Sequence, residues 1–411
     1  MTYDSDMLAA LMSRKPRHSL PRALYTDPAM FAVDMAHIWH AEWLVAIPAC
    51  EIPKKGNHVT MEIGEYSVVI VRGAGGMIRA FHNTCRHRGS RLCQSAKGSA
   101  PKLVCPYHQW TYDLDGKLLW ARDMGPDFDA SKHGLKPVHC RDAAGLVFIC
   151  LADVPPAFDA MAEQAERYFA PHDLSNCKVA AESTIVENGN WKLVMENNRE
   201  CYHCSGSHPA LCRTFDDNPN IAGNGDGIAD PVIEAHLAKC EAAGLPSRFV
   251  IDAREQWRLV RVPLLGDAVS YTMDGKTASA KRLGTVGIED PGSLLFFHYP
   301  NSWNHFLADV VMVFSILPID ATHTRVTTKW LVHKDAVEGV DYDLPRLTEV
   351  WITTNDEDRH VVEQNQLGIN SPSYEPGPYS VLQESGVIQF VDWYADAMTA
   401  RLTGRRMVAA Q

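Results

Sequence analysis

The period of the apolar positions changes near residue 43. Before it, Phe31, Met35, Ile38 and Trp39 recur at helical spacing, ending near residues 40–43. After it the runs are short and strand-like. Residues 58–63 and 66–71 alternate or run apolar, and Gly73-Ala74-Gly75-Gly76 turns the chain between strands. Residues 110–113 lead to a turn at Asp115-Gly116, and 145–151 read as a buried strand. No Gly-x-Gly-x-x-Gly and helix follow Gly73, so the glycines make a hairpin turn rather than a phosphate loop. Val154-Pro155-Pro156 breaks the pattern. Beyond it, 157–168 has helical composition, 294–299, 310–317 and 325–332 read as strands, and about 342–366 and 385–402 as helices. Strands and helices grouped in this way predict an α+β domain with an antiparallel sheet. The expected organisation is a helical lead-in (1–44) packing on the last domain, a small all-β domain (45–153) and an α+β domain (154–411). There is no internal repeat and no low-complexity segment.

Composition adds little. The 411 residues suffice for two to three domains, and 46% hydrophobic with 22% charged residues is ordinary for a soluble globular chain. A net charge of −11 argues against nucleic acid or an anionic membrane as partner. Arg14, Lys15 and Arg17 form the one short basic cluster, expected to be solvated. No apolar run has transmembrane length, and no secretory leader is visible, so the expected location is the cytoplasm. Eleven cysteines in so long a chain do not define a disulfide scaffold. Cys93, Cys140, Cys150 and Cys240 stand singly and read as small buried hydrophobes in a reducing compartment.

Two segments carry chemistry. In the all-β region, Cys85-Arg86-His87 is followed, after seventeen residues, by Cys105-Pro106-Tyr107-His108. Zinc fingers group like ligands, whereas these alternate Cys, His, Cys, His. Two Cys on one iron and two His on the other is the ligand set of a Rieske [2Fe–2S] cluster, whose mixed ligation raises its potential above that of an all-Cys cluster. The second segment runs from Glu196 to Pro209 and holds His203 and His208. On an unbroken helix they would lie about 140° apart. Gly206 and Pro209 imply that the helix ends between them, so His208 can fold back beside His203. Two His and one carboxylate, with open positions opposite, make the mononuclear iron site of oxygenases. Asp356, Glu357 and Asp358 compete for the carboxylate.

Cys-x-His, Cys-x2-His and then Glu-x-Tyr-His-x4-His-Pro, in that order, resemble the catalytic α-subunits of Rieske non-haem iron oxygenases. The resemblance implies a helix-grip catalytic domain, a Rieske cluster on Cys85, His87, Cys105 and His108, and a mononuclear Fe(II). In that family the carboxylate ligand lies five residues before a Glu and eight before a Gln. Asp358, with Glu363 and Gln366, fits that spacing and would join His203 and His208. Asp356 would point about 200° away on a helix. The family also implies that Glu200 bridges His203 to a Rieske histidine, here His108, of a neighbouring subunit in a homotrimer. Many members carry Asp there, one methylene shorter.

Residues 196–204, 271–276, 330–343, 376–380 and 390–394 resemble the quaternary-ammonium branch, the glycine betaine monooxygenases and the stachydrine (proline betaine) demethylases. Residues 124–132 and 209–213 lean to the proline betaine type. The implied reaction is hydroxylation of a betaine N-methyl group with O2 and two electrons, followed by loss of formaldehyde. The alternatives are glycine betaine as the substrate, or an aromatic ring-hydroxylating dioxygenase. An electron carrier would need only the β domain. A quaternary ammonium offers no N–H, so aromatic faces should bind it. Tyr271, Phe297, Tyr299, Trp303 and Phe306 are the candidates. The carboxylate would need an Arg, a His or a backbone N–H. The chain has no flavin or nicotinamide fingerprint and no plant-type Cys-x4-Cys-x2-Cys run. A separate flavin and iron–sulfur reductase must therefore deliver electrons from NAD(P)H.

Overall fold

The computed structural model describes residues 3–217, 230–251 and 256–404. The chain divides into two compact units, His40–Ala157 and the remainder, in which the N-terminal helices up to Trp39 join everything from Phe158 onward. Among the described residues no helix is long and apolar enough to cross a membrane.

In the His40–Ala157 unit, seven antiparallel strands lie in the order Leu44–Pro48, Leu146–Cys150, Pro137–Ala143, Ile78–His82, Tyr66–Arg72, Asn57–Ile63 and Lys97–Ser99. The glycine turn at 73–76 joins Tyr66–Arg72 to Ile78–His82, closed by Gly73 N–H donating to Met77 O at 2.7 Å. A second sheet of three short strands, Leu103–Val104, Thr111–Tyr112 and Leu118–Trp120, carries the Cys105 loop at its hairpin end.

In the other unit, seven antiparallel strands run in the order Cys177–Glu187, His323–His333, Val311–Asp320, Ser302–Phe306, Ser293–His298, Trp257–Val262 and Val250–Ile251. The sequence pattern showed three of these. It missed Cys177–Glu187, Val250–Ile251, Ser302–Phe306 and Trp257–Val262; in the last two, buried polar residues (Ser302, Asn304 and His305; Arg258 and Arg261) interrupt the apolar run. The helix Leu344–Asn370 packs on the edge strand Cys177–Glu187, and Ser385–Thr403 packs on the helix Trp191–Asn197. The register of Leu344–Asn370 is set at its C-terminal half. Glu363 Oε1 accepts from Asn188 N and Nδ2 at 3.1 and 2.8 Å, and Gln366 Oε1 accepts from Asn190 N at 2.8 Å. Gly189 allows the close approach, since a Cβ there would lie 2.4 Å from Val362 Cγ1. The Glu and Gln that picked out Asp358 by spacing are thus the residues that lock its helix.

The N-terminal helices are tied in by polar groups as well as apolar ones. Asp34 is fully buried, pairs with the equally buried Lys192, and accepts from Tyr394 Oη at 2.6 Å and Trp191 Nε1 at 3.2 Å. Arg14, expected to be solvated, pairs instead with Asp392 at 2.6 Å.

Candidate metal centres and substrate cavity

The two Rieske-pattern loops share one backbone design. In each, the N–H four residues after the Cys closes onto its carbonyl: Gly89 N on Cys85 O and Gln109 N on Cys105 O, both at 3.0 Å. Closing the turn puts Gly89 at φ +81° and Gln109 at +61°, a left-handed conformation that glycine takes freely and glutamine at a cost of about 1–2 kcal/mol. The loops bring the four predicted ligands together in two layers. Cys85 and Cys105 are buried in one apolar cluster with Trp110 and Tyr112. His87 and His108 lie at the surface above them, ring centroids 4.6 Å apart, with His87 stacked on Trp110 at 4.8 Å. His108 Nδ1 is buried and has no hydrogen-bond partner among the described residues, while its Nε2 meets Arg88 at 2.6 Å. A buried nitrogen left without a proton partner suits a metal ligand. Tyr112 Oη lies 3.3 Å from Cys85 Sγ and accepts from Arg86 N at 3.0 Å, so with Cys85 as a thiolate the hydroxyl is the donor to the sulfur. The donor set fits a mixed-ligand [2Fe–2S] cluster.

The second centre lies in the larger unit. The helix Trp191–Asn197, capped by the Asn190 side chain, ends well before His203. A single turn, Cys204–Ser207, then carries the chain from His203 to His208. The break predicted near Gly206 therefore occurs earlier, and Gly206 itself has ordinary backbone angles and open space around it. The turn swings the imidazoles together, Nε2 to Nε2 at 3.0 Å. Asp358 Oδ1 stands 3.3 Å from His203 Nε2 and 3.0 Å from His208 Nε2. Each Nδ1 faces another carboxylate: Glu200 Oε1 at 2.6 Å from His203, and Glu357 Oε2 at 2.9 Å from His208. Each Nδ1–H then donates outward and each Nε2 faces Asp358. Burial opposes a charge on His203, yet the Asp358 and Glu200 carboxylates override it and hold its pKa up at about 10. Three donor atoms converging with that much negative charge around them fit a divalent cation. Cys204 also lies within 4.8 Å of the two histidines, but its sulfur is bonded to Cys201. That disulfide was not expected from the sequence, nor was the role of Glu357. Asp356 turns to the surface and pairs with Arg359 at 3.1 Å.

A cavity of about 100 Å³ opens on this centre. Phe297 and Trp303 line it, together with Leu295, His305, Trp351, Arg199 and Arg258. Strand alternation decides which side chains reach it. Leu295 and Phe297 share one face of their strand, and Trp303 and His305 share that face of the next. Phe306 falls on the opposite face and stacks on Phe169 at 4.5 Å, so it lies in the core and not in the cavity. Tyr299 and Tyr271 also stand back from it. Tyr299 Oη accepts from Arg199 Nε at 2.7 Å, and Tyr271 packs edge-on against Trp351 and His305.

Residues 174–400 match the family of ring hydroxylating alpha subunit catalytic domains, and residues 42–138 match the Rieske [2Fe-2S] domain. The chain belongs to the Rieske oxygenase α-subunits. It is an oxidoreductase whose cofactors are a Rieske cluster and a mononuclear iron. The glycine betaine monooxygenase oxygenase subunit of Pseudomonas aeruginosa (strain UCBPP-PA14) is 52% identical over 397 residues, covering 95% of this chain and 92% of the relative. The carnitine monooxygenase oxygenase subunit of Escherichia coli (strain K12) is 35% identical over 201 residues, 47% of this chain and 53% of the relative. The fold is that of a quaternary ammonium Rieske monooxygenase, with a TM-score of 0.73 at 23% identity over 95% of this chain and 98% of the other. Naphthalene 1,2-dioxygenase from Rhodococcus sp. shares it too, with a TM-score of 0.69 at 17% identity, covering 97% and 98%.

Proposed function

We propose that this α-subunit hydroxylates an N-methyl group of a small betaine, with glycine betaine the leading substrate, and releases formaldehyde and the demethylated amine. The observation that carries this reading is the 52% identity to a glycine betaine monooxygenase subunit along 95% of the chain. The lean of 124–132 and 209–213 towards proline betaine yields to it. In the balance, one N-methyl group, one O2, two electrons and two protons give an N-hydroxymethyl group and one water. The C–N bond of this carbinolamine then breaks, leaving the tertiary amine, formaldehyde and a proton. When bound, the iron supplies O2 activation and the cluster supplies electrons.

The chain's own residues have distinct tasks. His203, His208 and Asp358 would hold the iron from one side and leave the cavity side open. Glu200 and Glu357 fix the Nδ1 protons of the two imidazoles. Trp303 and Trp351 present aromatic faces to a cation and, with Phe297, keep water out. A cavity of about 100 Å³ suits a compact solute.

Cys85, His87, Cys105 and His108 would hold the Rieske cluster. In a homotrimer Glu200 would link His203 to His108 of the next chain, and a separate reductase would supply the electrons.

The test is a formaldehyde-release screen over glycine betaine, proline betaine, carnitine and choline, with a generic reductase and NADH. Glycine betaine should head the series, and omission of the reductase should reduce turnover to background. Absence of formaldehyde from every quaternary ammonium, with a cis-diol from an arene, would overturn the proposal.

A further inference from the structure

We infer that Arg199 and Arg258 together bind the substrate's carboxylate, so that the cavity selects a zwitterion over a plain quaternary cation. This rests on the betaine reading above and assigns the anionic end that the sequence left open.

Arg199 lies just beyond the helix Trp191–Asn197, and Arg258 lies on the strand Trp257–Val262. The antiparallel register sets Arg258 directly opposite Phe297. Both guanidinium groups gather on that ring, Arg199 Cζ at 3.8 Å from its centroid and Arg258 Cζ at 5.2 Å. Both residues are only 4% exposed, and both line the cavity. A buried cation ordinarily has an anion beside it. Among the described residues Arg199 has no carboxylate partner. Its Nε donates to Tyr299 Oη, and its Nη2, held against Gly386, is buried without a hydrogen-bond partner. A Cβ on Gly386 would come within 2.8 Å of that Nη2, so glycine makes the room in which the guanidinium sits. Burial, and then the charge of Arg199, push the pKa of Arg258 well down. An anion between these two buried like charges would offset their repulsion.

The cavity is therefore polarised. The cationic pair lies around Phe297. Trp303, His305 and Trp351 add aromatic faces, and His203, His208 and Asp358 line the same space. Burial holds the His305 pKa at about 3, so this ring is neutral and does not repel an ammonium group. A carboxylate on the arginines leaves the N-methyl groups for the aromatic faces and the metal-facing end.

The experiment uses the full chain with cluster and iron loaded, plus reductase. It compares kcat/KM for formaldehyde release from glycine betaine with that from its carboxamide and from choline, both plain cations. Wild type should favour the zwitterion by about 100-fold or more, because the cationic analogues bring no negative charge to the two buried guanidinium groups. In Arg199→Met and Arg258→Met, with cluster absorbance and iron content checked as measures of folding, that ratio should fall at least about tenfold, chiefly through KM. Arg258→Lys should restore part of it. A second measurement needs no variant: calorimetric binding of glycine betaine and of the carboxamide to the wild-type holoprotein without reductase should show the same preference. If wild type binds and demethylates the carboxamide as well as glycine betaine, or if both Met variants keep the full preference, the carboxylate assignment fails while the betaine reading stands. If no quaternary ammonium is turned over, the betaine reading fails and takes this inference with it.

Discussion

Replacing Glu196 by Gln should make the catalytic unit less sensitive to alkaline pH. Glu196 is a buried carboxyl group that accepts from Tyr25 Oη at 2.7 Å and from Tyr379 Oη at 2.9 Å. Burial raises its pKa from 4.5 to about 7, against the two tyrosine hydrogen bonds and the charge of Lys192, while Glu384 adds to the rise. The folded state thus holds this proton more tightly than the unfolded chain does. The associated stability is fully present below the unfolded value near 4.5 and is lost as pH rises through about 7. Lifting the group by that interval, at about 1.4 kcal/mol for each pH unit, amounts to about 3 kcal/mol. Gln is neutral throughout and keeps the same shape. Urea unfolding of the full chain, followed by tryptophan fluorescence at pH 5 and pH 8, measures the effect as a difference between wild type and Glu196→Gln. Other titrating groups are common to both proteins and cancel. Wild type should lose about 2–3 kcal/mol relative to the variant between the two pH values. Parallel behaviour, or a relative gain by wild type as pH rises, would show that the tyrosine hydrogen bonds outweigh the burial term.

Glu357→Gln should weaken retention of the mononuclear iron by about 10- to 100-fold in a chelator competition, with the visible absorption of the Rieske cluster unchanged. Unaltered retention would remove Glu357 from the site. Lys192→Met leaves the buried Asp34 carboxylate without its cation and should destabilise the larger unit by about 3–5 kcal/mol. Adding Asp34→Asn should recover much of that loss, and equal stability of the two variants would contradict the pairing. Tyr112→Phe removes the hydroxyl proton facing Cys85 Sγ and should lower the cluster midpoint potential in a redox titration. A potential that stays put would mean that the proton points elsewhere.

The chemistry was legible along the chain to different depths. Cys85, His87, Cys105 and His108 could be read from ligand order alone, because each half is a local turn whose closure involves only a few neighbouring residues. His203 and His208 were legible as a pair for the same reason. Asp358 was reachable only through the family's spacing to Glu363 and Gln366, and those two side chains prove to set the register of its helix. Glu357 was passed over as a rival ligand. Its role depends on where His208 Nδ1 points, which no spacing rule contains.

The sequence by itself determined the two metal-binding patterns and the β-rich and α+β halves. These follow from short-range patterns: ligand order and apolar period. Only the tertiary structure decided which aromatics line the cavity and where the two buried arginines meet. Ser302–Phe306 and Ser293–His298 are buried on both faces, so hydropathy cannot tell Trp303 from Phe306. The alternation of side chains across paired strands can, and it sends Phe297, Trp303 and His305 to the cavity and Phe306 to the core. Arg199 and Arg258 lie 59 positions apart in the chain and meet only on the ring of Phe297, through a strand register that the local sequence does not encode.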